Sequence, residues 1–185
     1  MTRFRLLAVE CATVLLLSWS LPAFAADPAH AYVGADKCKM CHNSPAKGTQ
    51  FTKWAESKHS KAYQTLASEE SKKIATAKGI ADPQKAPECL RCHVTGHGSP
   101  AAKRTDKYKI EEGISCEACH GPGGDYWQMA VMKDLAKAEA AGLVLPNEST
   151  CKTCHNADGP TFKGFDYKAM LVQVAHPNPQ KGTSK

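Results

Sequence analysis

The chain has 185 residues, 24 of them lysine or arginine against 18 aspartate or glutamate, for a formal net charge of +6. Aromatic residues make up only 7% of it, while 13 residues are glycine, 11 are proline and nine are cysteine, which leaves few large side chains for a conventional core. The lysines are scattered singly with no aromatic platform between them, so they predict a solvated surface and exclude nucleic-acid binding as the reading.

The N-terminus reads as a Sec-type signal peptide over residues 1–25. Arg3 and Arg5 form a basic n-region, Cys11 to Leu21 a mostly apolar stretch, and Ala23-Phe24-Ala25 a small-residue cleavage pattern. The stretch is shorter than the roughly 20 apolar residues of a membrane span, and no span is expected. Cys11 follows Glu10 and precedes the apolar stretch, the wrong place for a lipid anchor. The mature chain is then residues 26–185, a single domain in the periplasm or on the cell surface.

Four pentapeptides punctuate it: Cys38-Lys39-Met40-Cys41-His42, Cys89-Leu90-Arg91-Cys92-His93, Cys116-Glu117-Ala118-Cys119-His120 and Cys151-Lys152-Thr153-Cys154-His155. In each, two thiols three positions apart can add to the two vinyl groups of one haem, and the following imidazole can bind its iron. Zinc or disulfides would account for paired cysteines but not for a histidine after every second one. Only Cys11 falls outside the motifs, so no thiol remains for a disulfide framework. The reading is four covalently bound haem c groups, with Cys38, Cys41, Cys89, Cys92, Cys116, Cys119, Cys151 and Cys154 as attachment points and His42, His93, His120 and His155 as iron ligands.

About 40 residues per haem, against about 100–150 in an ordinary domain, means that the haems form much of the core. The expected fold is a small, haem-packed unit, mainly α with many loops and little or no β-sheet. Each haem adds two propionates, which offset the positive formal charge.

Between the motifs, Phe51, Trp54, Ala55, His59, Ala62, Tyr63 and Leu66 recur at helical spacing and predict an apolar face bearing an imidazole, with His59 an iron ligand. Ser68 is the expected N-cap of a polar helix closed by Gly79, and Asp82 to Pro87 is a loop delivering the second motif. His97 lies in a glycine-bracketed turn directly after His93 and is read as a packing or pocket residue. Residues 101–112 predict an exposed loop or short hairpin. After the third motif comes the sharp turn Gly121-Pro122-Gly123-Gly124, then a helix capped by Asp125 and closed by Gly142 after Ala141. On that helix the thioether of Met129 or Met132 is either an axial ligand or packing on a porphyrin face. A last short helix runs from Asp166 to Val174, and His176, held before Pro177, is read as a further ligand. His30, ahead of the first motif, is a spare imidazole.

The order and spacing of the motifs, the Ser57-Lys58-His59-Ser60-Lys61-Ala62 setting of His59, the Cys89–Gly98 stretch and the string from Gly113 to Gly123 resemble the tetrahaem cytochrome c-554 family. The best-known member of that family carries electrons away from hydroxylamine oxidation. The resemblance implies stacked haem pairs, with His59 opposite His155 on the fourth haem and His176 opposite His120 on the third. The family's distal histidine for the first haem falls where this chain has Met129, with Met132 one turn on, so histidine–methionine ligation opposite His42 is expected. The resemblance also implies a five-coordinate second haem, with His97 at an aromatic position nearby.

The function expected is electron transfer between a redox donor and acceptor through stacked haems, an electron carrier rather than an enzyme. Two alternatives stand beside it. One is a haem enzyme acting on a small nitrogen oxide or a hydroxylamine-type substrate at an open His93 haem. The other is a subunit that docks on a membrane quinol dehydrogenase or self-assembles into a conducting filament.

Overall fold

The computed structural model describes residues 30–179; the expected signal peptide, its expected cleavage point and Cys11 lie outside the described residues. Within them run ten short helices: α1 (Ala35–His42), α2 (Gln50–Glu56), α3 (Ala62–Thr65), α4 (Glu69–Ala77), α5 (Pro87–His93), α6 (Cys116–His120), α7 (Met129–Met132), α8 (Leu135–Ala140), α9 (Glu148–Lys152) and α10 (Tyr167–Val174). Pairing of β type among the described residues is confined to an isolated parallel bridge between Tyr32 and Arg104. The mainly helical, loop-rich expectation holds, and no helix among the described residues is long and apolar enough to cross a membrane.

Local chemistry explains several boundaries. The Ser68 hydroxyl accepts from the Ser71 amide and Glu69 and Glu70 occupy the first turn of α4, as expected. Pro87 opens α5, where its missing N–H costs nothing. Asn147 and Thr150 form a reciprocal capping box on α9, and the Asp166 carboxylate caps α10 through the Ala169 amide.

Two predicted helices are broken, and one predicted loop is tied down. The stripe from Phe51 to Leu66 is interrupted after α2, where Ser57 turns extended (ψ 165°). The Ser60 hydroxyl donates to the Ala55 and Ser57 carbonyls, closing a turn that carries His59. The helix expected from Asp125 to Ala141 is two short helices, α7 and α8. Asp134 caps the second through the Lys137 amide, while Asp125 is engaged by His30 instead. Residues 101–112 form no hairpin: the Tyr32 amide donates to the Lys103 carbonyl at 2.8 Å and the Thr105 amide to the Tyr32 carbonyl at 3.0 Å, laying this segment against the N-terminal strap.

Leu66, Leu90 and Val94 form the buried cluster, with Tyr63, Cys89 and Ile110 against it. Helices this short are marginal alone, so polar ties complete the assembly. The deepest is Glu117, only 2% exposed. Its carboxylate accepts the Val33 and Gly34 amides, each at 2.9 Å, and the Gly123 amide at 2.7 Å. One side chain inside the third motif thus fastens the approach to α1 and the turn after α6.

Candidate haem centres

Each of α1, α5 and α6 carries a complete Cys-x-x-Cys-His motif, and α9 holds Cys151 with Cys154 and His155 just beyond its end. Positions i, i+3 and i+4 share a helix face, so on the helical motifs both thiols and the imidazole emerge together. The eight cysteines are free thiols, and the motifs meet one another through them. The Cys116 thiol neighbours that of Cys38, and the Cys92 thiol that of Cys154. Cys119 lies within electrostatic reach of Cys151 and Cys154. The neighbouring Cys38 thiol, followed by burial, pushes the Cys116 thiol up; burial is the main cause of the same upward shift at Cys89, Cys92, Cys119 and Cys151. Among the described residues no three His, Cys, Asp or Glu side chains converge as a bare-metal site requires.

Two proximal histidines face a second imidazole. The ring centres of His59 and His155 lie 6.0 Å apart, and those of His120 and His176 lie 6.1 Å apart. Two imidazoles on opposite sides of one metal, with metal–nitrogen bonds of about 2 Å, have ring centres about 6 Å apart, and the separation of both pairs matches that value. Chain packing produces the pairs. The His59 carbonyl accepts the Ile114 amide at 3.0 Å, and the Trp54 indole N–H donates to the Ile114 carbonyl at 2.8 Å, docking the His59 turn just ahead of the third motif. Phe165 stacks on His155 at 4.8 Å.

A second ring nitrogen bonded to a carbonyl fixes the tautomer and leaves Nε2 free to ligate. His93 Nδ1 lies 2.7 Å from the Ala62 carbonyl oxygen, His120 Nδ1 lies 3.1 Å from that of Val144, and His176 Nδ1 lies 2.8 Å from that of Val174. Burial, followed by the neighbouring His155, lowers the His59 pKa. Burial is also the main cause of the lowered His120 pKa, with His176 and His42 adding to it against the Val144 bond. The neutral imidazole that iron requires is favoured at both.

The remaining candidates are spread out. His42 is near enough to His120 to interact with it electrostatically. Met129, at the start of α7, is 61% exposed, and Met132 on the same helix is half-buried. Among the described residues no ring contact joins His97 to His93. His30 Nδ1 meets the Asp125 carboxylate at 2.5 Å. A cavity of about 440 Å³ lies between the second, third and fourth motifs, with Val94, Cys119, Gly121, Val144 and Cys154 on its walls.

The three comparisons point one way. The family model described as cytochrome c554 and c-prime matches residues 37–121. Cytochrome c-554 of Nitrosomonas europaea is 32% identical over 153 residues, covering 72% of this chain and 61% of that protein's length. The reduced-state structure of cytochrome c554 from the same organism superposes with a TM-score of 0.57 at 23% identity, covering 81% of this chain and 86% of the other. With the motif helices and the paired imidazoles already in place, the sequence matches make the chain similar to the cytochrome c-554 family, and the solved structure shows the same fold.

Proposed function

We propose that this protein is an exported tetrahaem c-type cytochrome that passes electrons between a redox donor and an acceptor outside the cytoplasm. The observation that carries the reading is the spacing of the two imidazole pairs, 6.0 and 6.1 Å. It supports His59 and His155 on the fourth haem and His176 and His120 on the third. Bound haem supplies a one-electron iron couple whose ligation need not change on reduction. The chain supplies the ligands and the order of the sites. The thiol neighbours Cys38–Cys116, Cys119 with Cys151, and Cys154–Cys92 favour the sequence first, third, fourth, second motif. An electron entering at either end has a path to the other. The first site takes His42 with Met129 or Met132, and thioether ligation makes it the high-potential end.

Mass and haem content of the exported protein test the count, and four haems per chain are expected. Redox titration should then resolve four one-electron steps, one well above the rest. If neither Met129→His nor Met132→His moves any of them, the histidine–methionine assignment is wrong. A second reading, chemistry at an open second haem, draws on the orientation of His93 by the Ala62 carbonyl, with His97 in the glycine-bracketed turn that follows. A high-spin ferric signal that shifts on adding cyanide would favour it; wholly low-spin spectra would remove it.

A further inference from the structure

Two arginines lie among the described residues, Arg91 and Arg104. Arg91 is exposed and pairs with Asp158 at 3.2 Å. Arg104 is half-buried and has no carboxylate partner among the described residues. Its Nη2 donates to the Gly96 carbonyl at 3.0 Å, its guanidinium carbon lies 5.1 Å over the Tyr108 ring, and its Nε–H is buried with nothing to bond. The side chain is firmly placed. Backbone bonds from Lys103 and Thr105 to Tyr32 flank it, and the Tyr108 hydroxyl donates to the Thr95 carbonyl at 2.6 Å.

A guanidinium keeps its charge at any pH the protein meets. Burying that charge without a counter-ion is strongly unfavourable, and an unmet buried N–H adds to the cost. Its planar fork is shaped for a carboxylate, and the idle Nε–H is one arm of that fork. The described residues offer no acid paired with it, whereas every haem brings two propionates. The Gly96 carbonyl that holds Arg104 lies three residues beyond His93, in the turn leaving the second motif.

We propose that Arg104 binds a propionate of the haem next to the Val94–Gly98 turn and raises the reduction potential of that haem. This rests on the multihaem reading above. A fixed cation beside the propionate cancels negative charge that would otherwise oppose an incoming electron. Lysine at the same position would keep the charge but lose the fork.

The test uses the exported holoprotein as wild type, Arg104→Gln and Arg104→Lys, with haem content measured first and four midpoint potentials read by spectroscopic redox titration. A wild-type haem content below four counts against the multihaem reading and leaves the arginine out of the matter. With four haems present, one midpoint should fall most in Arg104→Gln and less in Arg104→Lys, any change elsewhere being smaller and confined to that haem's neighbour in the row. Four unmoved midpoints in a fully loaded variant overturn the proposal. So does a uniform fall of all four, which marks general loosening. If Arg104→Gln does not assemble, Arg104→Lys decides by the same criterion.

Discussion

His59 is where ligand chemistry can be altered with least disturbance to the chain, because the turn bearing it is fixed by backbone bonds and not by its ring. In His59→Met, a thioether replaces the imidazole facing His155. The potential of one haem should rise and its low-spin spectrum should persist. His59→Ala should instead give a high-spin ferric component. Redox titration and electron paramagnetic resonance separate these outcomes, and identical spectra in all three proteins would exclude His59 from the coordination sphere. Glu117 carries the other residue-scale prediction. Glu117→Gln keeps the shape but, with its carbonyl oxygen still accepting from Val33 and Gly123, turns an N–H₂ toward the Gly34 amide. The lost bond, the unmet Gly34 amide and the loss of charge assistance at the other two should together cost about 2–4 kcal/mol, which for a domain of this size lowers the melting temperature by roughly 5–15 °C. Thermal unfolding followed by circular dichroism reads it.

At the scale of elements, sequence signals were strongest where structure is local. Ser68 and Asp166 act within four residues of themselves, and each helix starts where the sequence predicts, while Pro87, expected to end the loop before the second motif, instead opens α5. The stripe from Phe51 to Leu66 keeps helical spacing across its break, so periodicity could not reveal that Ser57 turns extended to dock His59 on Ile114. The break between α7 and α8 was more readable: Asp134 ahead of Leu135 is an N-cap signal of the same kind as Asp166. The facing imidazole pairs join residues far apart in the chain, and only resemblance to a family suggested them. Glu117 and Arg104 gave no pattern at all, because each acts on backbone brought in by the fold. The turn after the third motif makes a sharp element-scale prediction. Gly121 has φ 78°, and a Cβ there would lie 2.6 Å from the Gly142 carbonyl oxygen. Gly121→Ala should therefore combine left-handed strain of about 1 kcal/mol or more with a backbone clash beside His120. Fewer than four haems per chain in the exported variant is the expected result; full loading with an unchanged melting temperature would show that the turn yields easily.

Over the whole molecule, what the chain buries by itself is small: the Leu66–Leu90–Val94 cluster, a few further residues and the Glu117 network. Meanwhile α10 leaves Met170, Leu171 and Val172 exposed, the last at 77%. That imbalance makes folding depend on haem attachment, so the chain produced without the attachment machinery should show little helix by far-ultraviolet circular dichroism, and a strong helical signal would refute the dependence. The order of sites adds a property no single site has. Charges on neighbouring irons repel, so a site reduced early makes its neighbours harder to reduce, and the effect fades with distance. If the motifs run first, third, fourth, second, raising the fourth potential through His59→Met should lower the third and second midpoints and leave the first where it was. A redox titration that moved the first midpoint as much as the other two would break that order, even with every ligand assigned correctly.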